Sequence, residues 1–268
     1  MQNRRTYNRF VIHLLCLTLA FLLFVSNGWA QVLRKPIPDK LIVLTFDDAS
    51  RSHATFVAPI LKKYGFGGTF YVCEFAPDFA DKTKYLTWEQ IRQVDRVGFE
   101  IGNHTFTHKN LAKLSKPQLT NEVDSLEILC KLNHIRKPVT FAYPAYFTSP
   151  IAFDVLAEKK YQFARVGGDR AYDPAIDHPL LVPSYSMTDS NKEIMMHSLQ
   201  EAKNGKVVVW TIHGVPDIAH PWVNIPPALF EEYMKFLHDN QYKVISMRDL
   251  LSYVNSEQAV RLISLPTK

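Results

Sequence analysis

The apolar run from Leu41 to Phe46 ends abruptly in two adjacent carboxylates, Asp47 and Asp48. Side by side such groups repel, and each is costly to bury without a partner. A divalent cation removes that penalty: one carboxylate binds the ion and the other stays free to take a proton from water. Partners for the ion lie further along the chain, where His104 and His108 stand four apart in the stretch NHTFTHKN. Two imidazoles and one carboxylate make three protein ligands with a fourth position open, the pattern of a catalytic rather than a structural zinc. Taken alone, a His pair is more often a surface or capping feature, and an Asp after a strand can cap the next helix. A cap accounts for one Asp and less easily for two. His213, which follows another apolar run and precedes Gly214, is a natural proton donor, because imidazoles titrate near neutrality.

These residues need a scaffold that brings them together. Short runs rich in β-branched and aromatic residues predict strands at 41–46, 67–73, 99–102, 139–143, 162–166, 206–212 and 243–246. Helical patterns lie between them. Residues 53–64 place Phe56, Ile60 and Tyr64 on one face, 87–97 open with a Thr87/Gln90 capping box, and 115–133 carry Pro117 near the start. Further helices fit 149–160, 190–203 and 227–240. Strand and helix alternating this often predict an α/β fold with a parallel sheet, and about seven units predict a barrel, closed or incomplete. A Gly-rich phosphate loop after the first strand is missing, which counts against a nucleotide fold. Parallel barrels build their sites at the C-terminal ends of their strands. Asp47 and Asp48, His104 and His108, Pro144 and Tyr146, Arg165 with Asp169 and Arg170, and His213 all follow expected strands, so the fold would gather them on one rim.

The first thirty residues read differently. Arg4, Arg5 and Arg9 precede an apolar run over 11–25, and small residues at Gly28 and Ala30 follow. This is the layout of a secretory signal peptide cut after Ala30; an uncleaved anchor is the rival, with a run that is short for a span and contains His13. Residues 31–268 then form a single domain, secreted or held in the periplasm or cell envelope, with no stable membrane span. The net charge of +5 falls to +2 without the three Arg, leaving 28 basic against 26 acidic residues, so nothing argues for nucleic-acid binding. Cys73 and Cys130 remain; two Cys make no disulfide framework, and buried free thiols are expected. Long loops at 167–189 and 214–226 would overlie the rim, with Trp222, Tyr172 and Tyr146 offering aromatic faces for stacking on a ligand.

The motifs resemble those of the polysaccharide deacetylase family, the NodB-homology fold or carbohydrate esterase family 4. TFDD (45–48) is similar to its first motif, HTFTH (104–108) to its second, FAYPAY (141–146) to its third and WTIHG (210–214) to its last. The resemblance covers roughly residues 40–253 and implies a distorted (β/α) barrel. It also implies Asp47 as general base, Asp48, His104 and His108 as ligands of a divalent metal, most often Zn2+, and His213 as general acid. An N–H near Ala145 would help hold the oxyanion. The reaction implied is removal of acetyl from an amino sugar, or in some members from a sugar hydroxyl, of an acetylated glycan.

Three departures stand out. Ala49 replaces the glycine of TFDDG, and Ala142 stands where an Arg commonly pairs with the base. Arg165, at the end of the next strand, is the candidate substitute. The Asp that orients the last His is not identified; Asp169, Asp173 and Asp217 are all open. Alternative readings are a metal-dependent hydrolase of another small amide or ester on the same fold, and a sugar-binding relative without catalysis. No protein partner is suggested.

Overall fold

A computed structural model describes residues 32–265; the expectations for residues 1–30 lie outside them. β1 (Leu41–Phe46) is buried along its whole length. Burial on both faces is why its sequence is continuously apolar rather than alternating. The remaining strands are β2 (Thr69–Val72), β3 (Glu100–Asn103), β4 (Thr140–Ala142), β5 (Phe163–Arg165), β6 (Tyr185–Ser186), β7 (Val208–Ile212) and β8 (Lys243–Ile245). They form one sheet in the order β5-β4-β3-β2-β1-β7-β6, with every pairing parallel. β7 runs along one edge of β1. The other edge is shared: β8 pairs with Leu41–Val43 and β2 with Thr45 and Phe46.

The seven expected strands are present, and an eighth, β6, lies within the expected loop 167–189. Two residues are too few to show a strand pattern. The segment 167–189 is accordingly not a free loop over the rim. Val182 bridges Arg165 in parallel, and Tyr185 and Ser186 pair with Trp210 and Thr211 of β7. Residues 182–186 thus link β5 to β7 and curve the sheet into a distorted barrel.

Helices cover the outside. The pattern over 53–64 splits into a π-helical turn, His53–Val57, and α1 (Ala58–Tyr64). Pro59 lacks the N–H that would continue one ladder through the joint. The inward face is His53, Val57 and Leu61, whereas Phe56, Ile60 and Tyr64 are only partly buried. α2 (Trp88–Arg96) carries the expected Thr87/Gln90 capping box. α3 (Lys116–Leu132) has another, between Ser115 and Gln118, with Pro117 in the first turn. α4 (Pro150–Glu158), α5 (Lys192–Ser198), α6 (Pro227–Asp239) and α7 (Ser256–Leu262) follow. Among the described residues no helix is long and apolar enough to cross a membrane. Cys73 and Cys130 are buried free thiols, as expected.

Candidate active site

Strand ends and the turns after them assemble one rim. Asp47 continues β1, its N–H donating to the Ile212 carbonyl of β7 at 2.9 Å. The chain then enters the left-handed region at Asp48 (φ 71°) and Ala49 (φ 50°), which turns the second carboxylate beside the first. His104 follows β3. The turn after it is held from outside: Thr107 donates through its N–H and hydroxyl to buried Glu122 of α3. The His108 N–H donates to the Thr105 hydroxyl at 3.0 Å. Thr105 and His108 are also left-handed, with φ of 64° and 55°. The four-residue His spacing therefore belongs to a tight turn, not a helix. Backbone strain of about 1–2 kcal/mol per such residue is typical of a site whose geometry the surroundings enforce.

Asp48 is the hub. Its Oδ1 lies 3.4 Å from His104 Nε2 and 3.6 Å from His108 Nε2. The three ligand atoms fall within 4.8 Å of one another. Atoms held about 2.1 Å from one ion at the tetrahedral angle stand about 3.4 Å apart, so the trio fits a divalent cation such as zinc. The His104 Nδ1 supports the fit, since it donates to the Ala142 carbonyl at 2.8 Å and so directs Nε2 toward Asp48, where loss of its proton would free it for an ion. Burial opposes ionisation of Asp48, but the hydrogen bond with His104 and the charges of His213, His104 and His108 hold its carboxyl well below the usual range. Burial likewise lowers His104, yet the carboxylates of Asp47 and Asp48 carry it above an ordinary imidazole. His108, pushed down to about 4 by burial and by His104, is neutral near pH 7.

Asp47 is held differently. Arg165 Nη2 donates to its Oδ2 at 2.5 Å, while Arg165 Nη1 donates to the Thr211 hydroxyl at 2.6 Å. Arg165 is fully buried, with its guanidinium 5.5 Å from the ring centres of both Tyr71 and Tyr146. The other Asp47 oxygen, Oδ1, is buried and has no partner in the protein. A carboxylate with one oxygen fixed and the other unpartnered is suited to accept a proton.

The two remaining imidazoles flank Asp48 Oδ2. His213 Nε2 and His220 Nδ1 each lie 3.8 Å from it. His220 was not anticipated. Its only sequence signal is a second His in the segment after β7, and the spacing matches no ligand pattern. Asp217 belongs to His220 rather than to His213: its Oδ1 accepts the His220 N–H at 2.7 Å and lies 3.5 Å from Nδ1. His213 Nδ1 is buried and has no hydrogen-bond partner, so none of Asp169, Asp173 and Asp217 orients that ring.

A cavity of about 690 Å3 opens over these groups, lined among others by Asp47, Asp48, His104, His108, His213 and His220. Tyr146 and Trp222 line it as well. The Tyr146 hydroxyl donates to Ser186 Oγ at 3.2 Å, and Trp222 is 74% exposed beside the His220 ring. Tyr172 is placed elsewhere. It is fully buried and bridges Val207, which precedes β7 at the opposite end of the barrel. No sugar can reach it, so the stacking expected of it does not occur. Tyr172 packs inward although Asp169, Arg170 and Ile176 of the same segment are exposed.

The family model for polysaccharide deacetylases matches residues 34–164, a span that contains Asp47, Asp48, His104 and His108. Over these residues, just under half of the chain, the sequence is similar to the polysaccharide deacetylase family. It is 29% identical over 129 residues to a peptidoglycan-N-acetylglucosamine deacetylase of Bacillus cereus, an alignment covering 47% of this chain and 56% of that protein. The chain thus matches little more than half of that relative's length. In structure it is similar to the Xyl-CE4 domain of a multidomain xylanase from the hindgut metagenome of Trinervitermes trinervoides. The TM-score is 0.55 at 18% identity, covering 80% of this chain and 90% of that one. It is equally similar in fold, with a TM-score of 0.55 and 15% identity, to a CE4-family pseudoenzyme from Bacillus anthracis, covering 80% of this chain and 66% of that one. Similarity to the deacetylase family and the shared fold are separate from activity, which the site residues must decide.

Proposed function

We propose that this chain is a metal-dependent carbohydrate deacetylase, secreted or held in the cell envelope, with residues 31–268 as one catalytic domain. It would hydrolyse N-acetyl or O-acetyl groups of a glycan. The observation that carries the reading is the division between the two adjacent carboxylates: Asp48 faces two imidazole Nε2 atoms at 3.4 and 3.6 Å, while Asp47 is tied to Arg165 and presents a bare oxygen. A site that only bound sugar would have no use for this arrangement.

Asp48, His104 and His108 hold the divalent ion, with zinc the best match to one carboxylate and two imidazoles. When bound, the ion supplies Lewis acidity, polarising the acetyl carbonyl and lowering the pKa of water. Asp47 Oδ1 accepts the proton of the attacking water, and Arg165 keeps Asp47 Oδ2 from turning away. His213 Nε2 gives a proton to the departing nitrogen as the C–N bond breaks, so one amide and one water become amine and acetate. Trp222 and Tyr146, which both line the cavity, hold the sugar. The cavity is large enough for about one to two sugar rings, in the range of ordinary ligand pockets.

The test is acetate release from chitooligosaccharides, peptidoglycan fragments and acetylated xylan, before and after chelation and zinc readdition. Release that chelation abolishes and zinc restores is expected from at least one of the three. Sugar binding without release from any would place the chain with non-catalytic relatives. Release from small acyl compounds alone would point to a different substrate.

A further inference from the structure

The His213 ring has no hydrogen-bond anchor: Nδ1 is buried and unpartnered, and Nε2 lies 3.8 Å from Asp48 Oδ2. A proton donor must nonetheless be held to a fraction of an ångström. The backbone around it is fixed at three consecutive residues. The His213 carbonyl accepts from His53 Nε2 at 3.1 Å. The Gly214 N–H donates to Asp217 Oδ2 at 2.8 Å. The Val215 N–H donates to Ser52 Oγ at 2.7 Å. A Cβ on Gly214 would come within 2.5 Å of Ser50 Oγ and 2.6 Å of Asp217 Cα, so the peptide after His213 lies hard against the turn that follows β1.

Ser50, Ser52 and His53 all belong to the short segment that begins with Asp47 and Asp48. His53 is fully buried, with its ring centre 5.7 Å from Phe46 and 5.5 Å from Phe70. Since a carbonyl only accepts, His53 Nε2 carries the hydrogen, and its Nδ1 has no partner. A buried imidazole with one bond, to a backbone oxygen at the rim, is an expensive way to fill a core position that a Phe or Leu would fill better. The start of the π-helical turn at His53 brings its side chain inward at this level, and such turns are frequent at functional sites.

We propose that His53, assisted by Ser52, is a positioning residue for His213. It would hold the proton donor through its main chain, in place of a carboxylate on its ring, and so lock the segment carrying both aspartates to the segment carrying the donor. The inference rests on the proposed role of His213 as proton donor.

A proton on the leaving group matters when an amide nitrogen departs and matters little when a nitrophenolate departs. The test therefore compares zinc-loaded wild type, His53→Ala, His53→Gln, Ser52→Ala and His213→Ala on an N-acetylated chitooligosaccharide and on 4-nitrophenyl acetate. His53→Ala should lower kcat on the amide by about tenfold or more, part of the 10²–10⁴ that general acids contribute. KM, zinc content and aryl-ester turnover should stay near wild type. His53→Gln, whose amide can donate to the same carbonyl, should recover most of the loss, and Ser52→Ala should show a smaller loss of the same selectivity. Should His53→Ala not fold, the Ser52→Ala and His53→Gln arms carry the decision. Equal loss on both substrates, or none, while His213→Ala remains amide-selective, would overturn the positioning role alone. Absence of amide-selective loss in His213→Ala would remove the donor role and this inference with it.

Discussion

Ala142 and Arg165 are register partners on adjacent strands β4 and β5. Position 142 carries only a methyl group, and the guanidinium arrives from the neighbouring strand at the same level of the barrel. From there it spans the interior to Asp47 on β1 and Thr211 on β7. The Ala142 carbonyl in turn fixes His104 Nδ1, so the pair touches both halves of the site, base and metal ligand.

Replacing Arg165 follows from that geometry. Arg165→Ala leaves a buried carboxylate without its counter-ion, which should cost about 3–5 kcal/mol of stability. It should also lower kcat far more than zinc occupancy, read by elemental analysis of the purified variant. Arg165→Lys should not rescue turnover, because an ammonium cannot reach Asp47 and Thr211 with the same planar fork. Wild-type turnover in Arg165→Ala would separate the ion pair from catalysis.

The two aspartates should part company on mutation. Asp48→Ala should lose metal in equilibrium dialysis and turnover with it. Asp47→Asn, which keeps the shape, should bind metal like the parent while kcat falls by about 10²–10⁴. If both variants bind metal equally well, the division of labour between them is wrong.

Metal affinity should depend on pH in a defined direction. In the metal-free protein the carboxylates raise His104 above an ordinary imidazole despite its burial. Its Nε2 therefore keeps a proton to a higher pH than a free imidazole would, and an incoming ion must displace it. Affinity should be greatest above that pKa and weaken by up to about tenfold per pH unit below it. His108, at about 4, should add a second proton only in that lower range. Calorimetry in buffers of different ionisation enthalpy should register the released proton; affinity flat from about pH 8 to about 5 would contradict the assignment.

Trp222 is 74% exposed at the cavity edge, with its ring against that of His220. Trp222→Ala should raise KM for a polymeric or oligomeric substrate several-fold by removing a stacking face. The melting temperature and turnover of 4-nitrophenyl acetate should barely change. A Tyr172→Ala variant should do the reverse, losing stability without a selective effect on KM, because Tyr172 is buried at the far end of the barrel.

Much of this was legible in the chain because the chemistry sits where two periodicities break. Strand-like runs ending in Asp47–Asp48, His104 and His213 marked the rim, and the apolar length of β1 marked a strand buried on both faces. Ala49 shows how a departure can be absorbed: it takes φ of 50° where a glycine would be at ease, held by its carbonyl accepting from Leu86 at 2.9 Å. Arg165 could be nominated by its place at a strand end, but its bond to Asp47 depends on register. What stayed hidden depends on closure of the barrel. β6 is two residues long, and Tyr172 is buried because 182–186 bends back between β5 and β7. His220 reaches Asp48 only through the turn that Asp217 ties, a relation no spacing rule encodes.

The most direct measurement of the central claim is a zinc titration of chelated protein followed by acetate release. Activity on the best N-acetylated oligosaccharide should rise linearly and level off at one equivalent of zinc, with His104→Ala and His108→Ala showing neither tight binding nor recovery. Release that is undiminished by chelation, or one bound zinc in the two His variants with wild-type affinity, would contradict it.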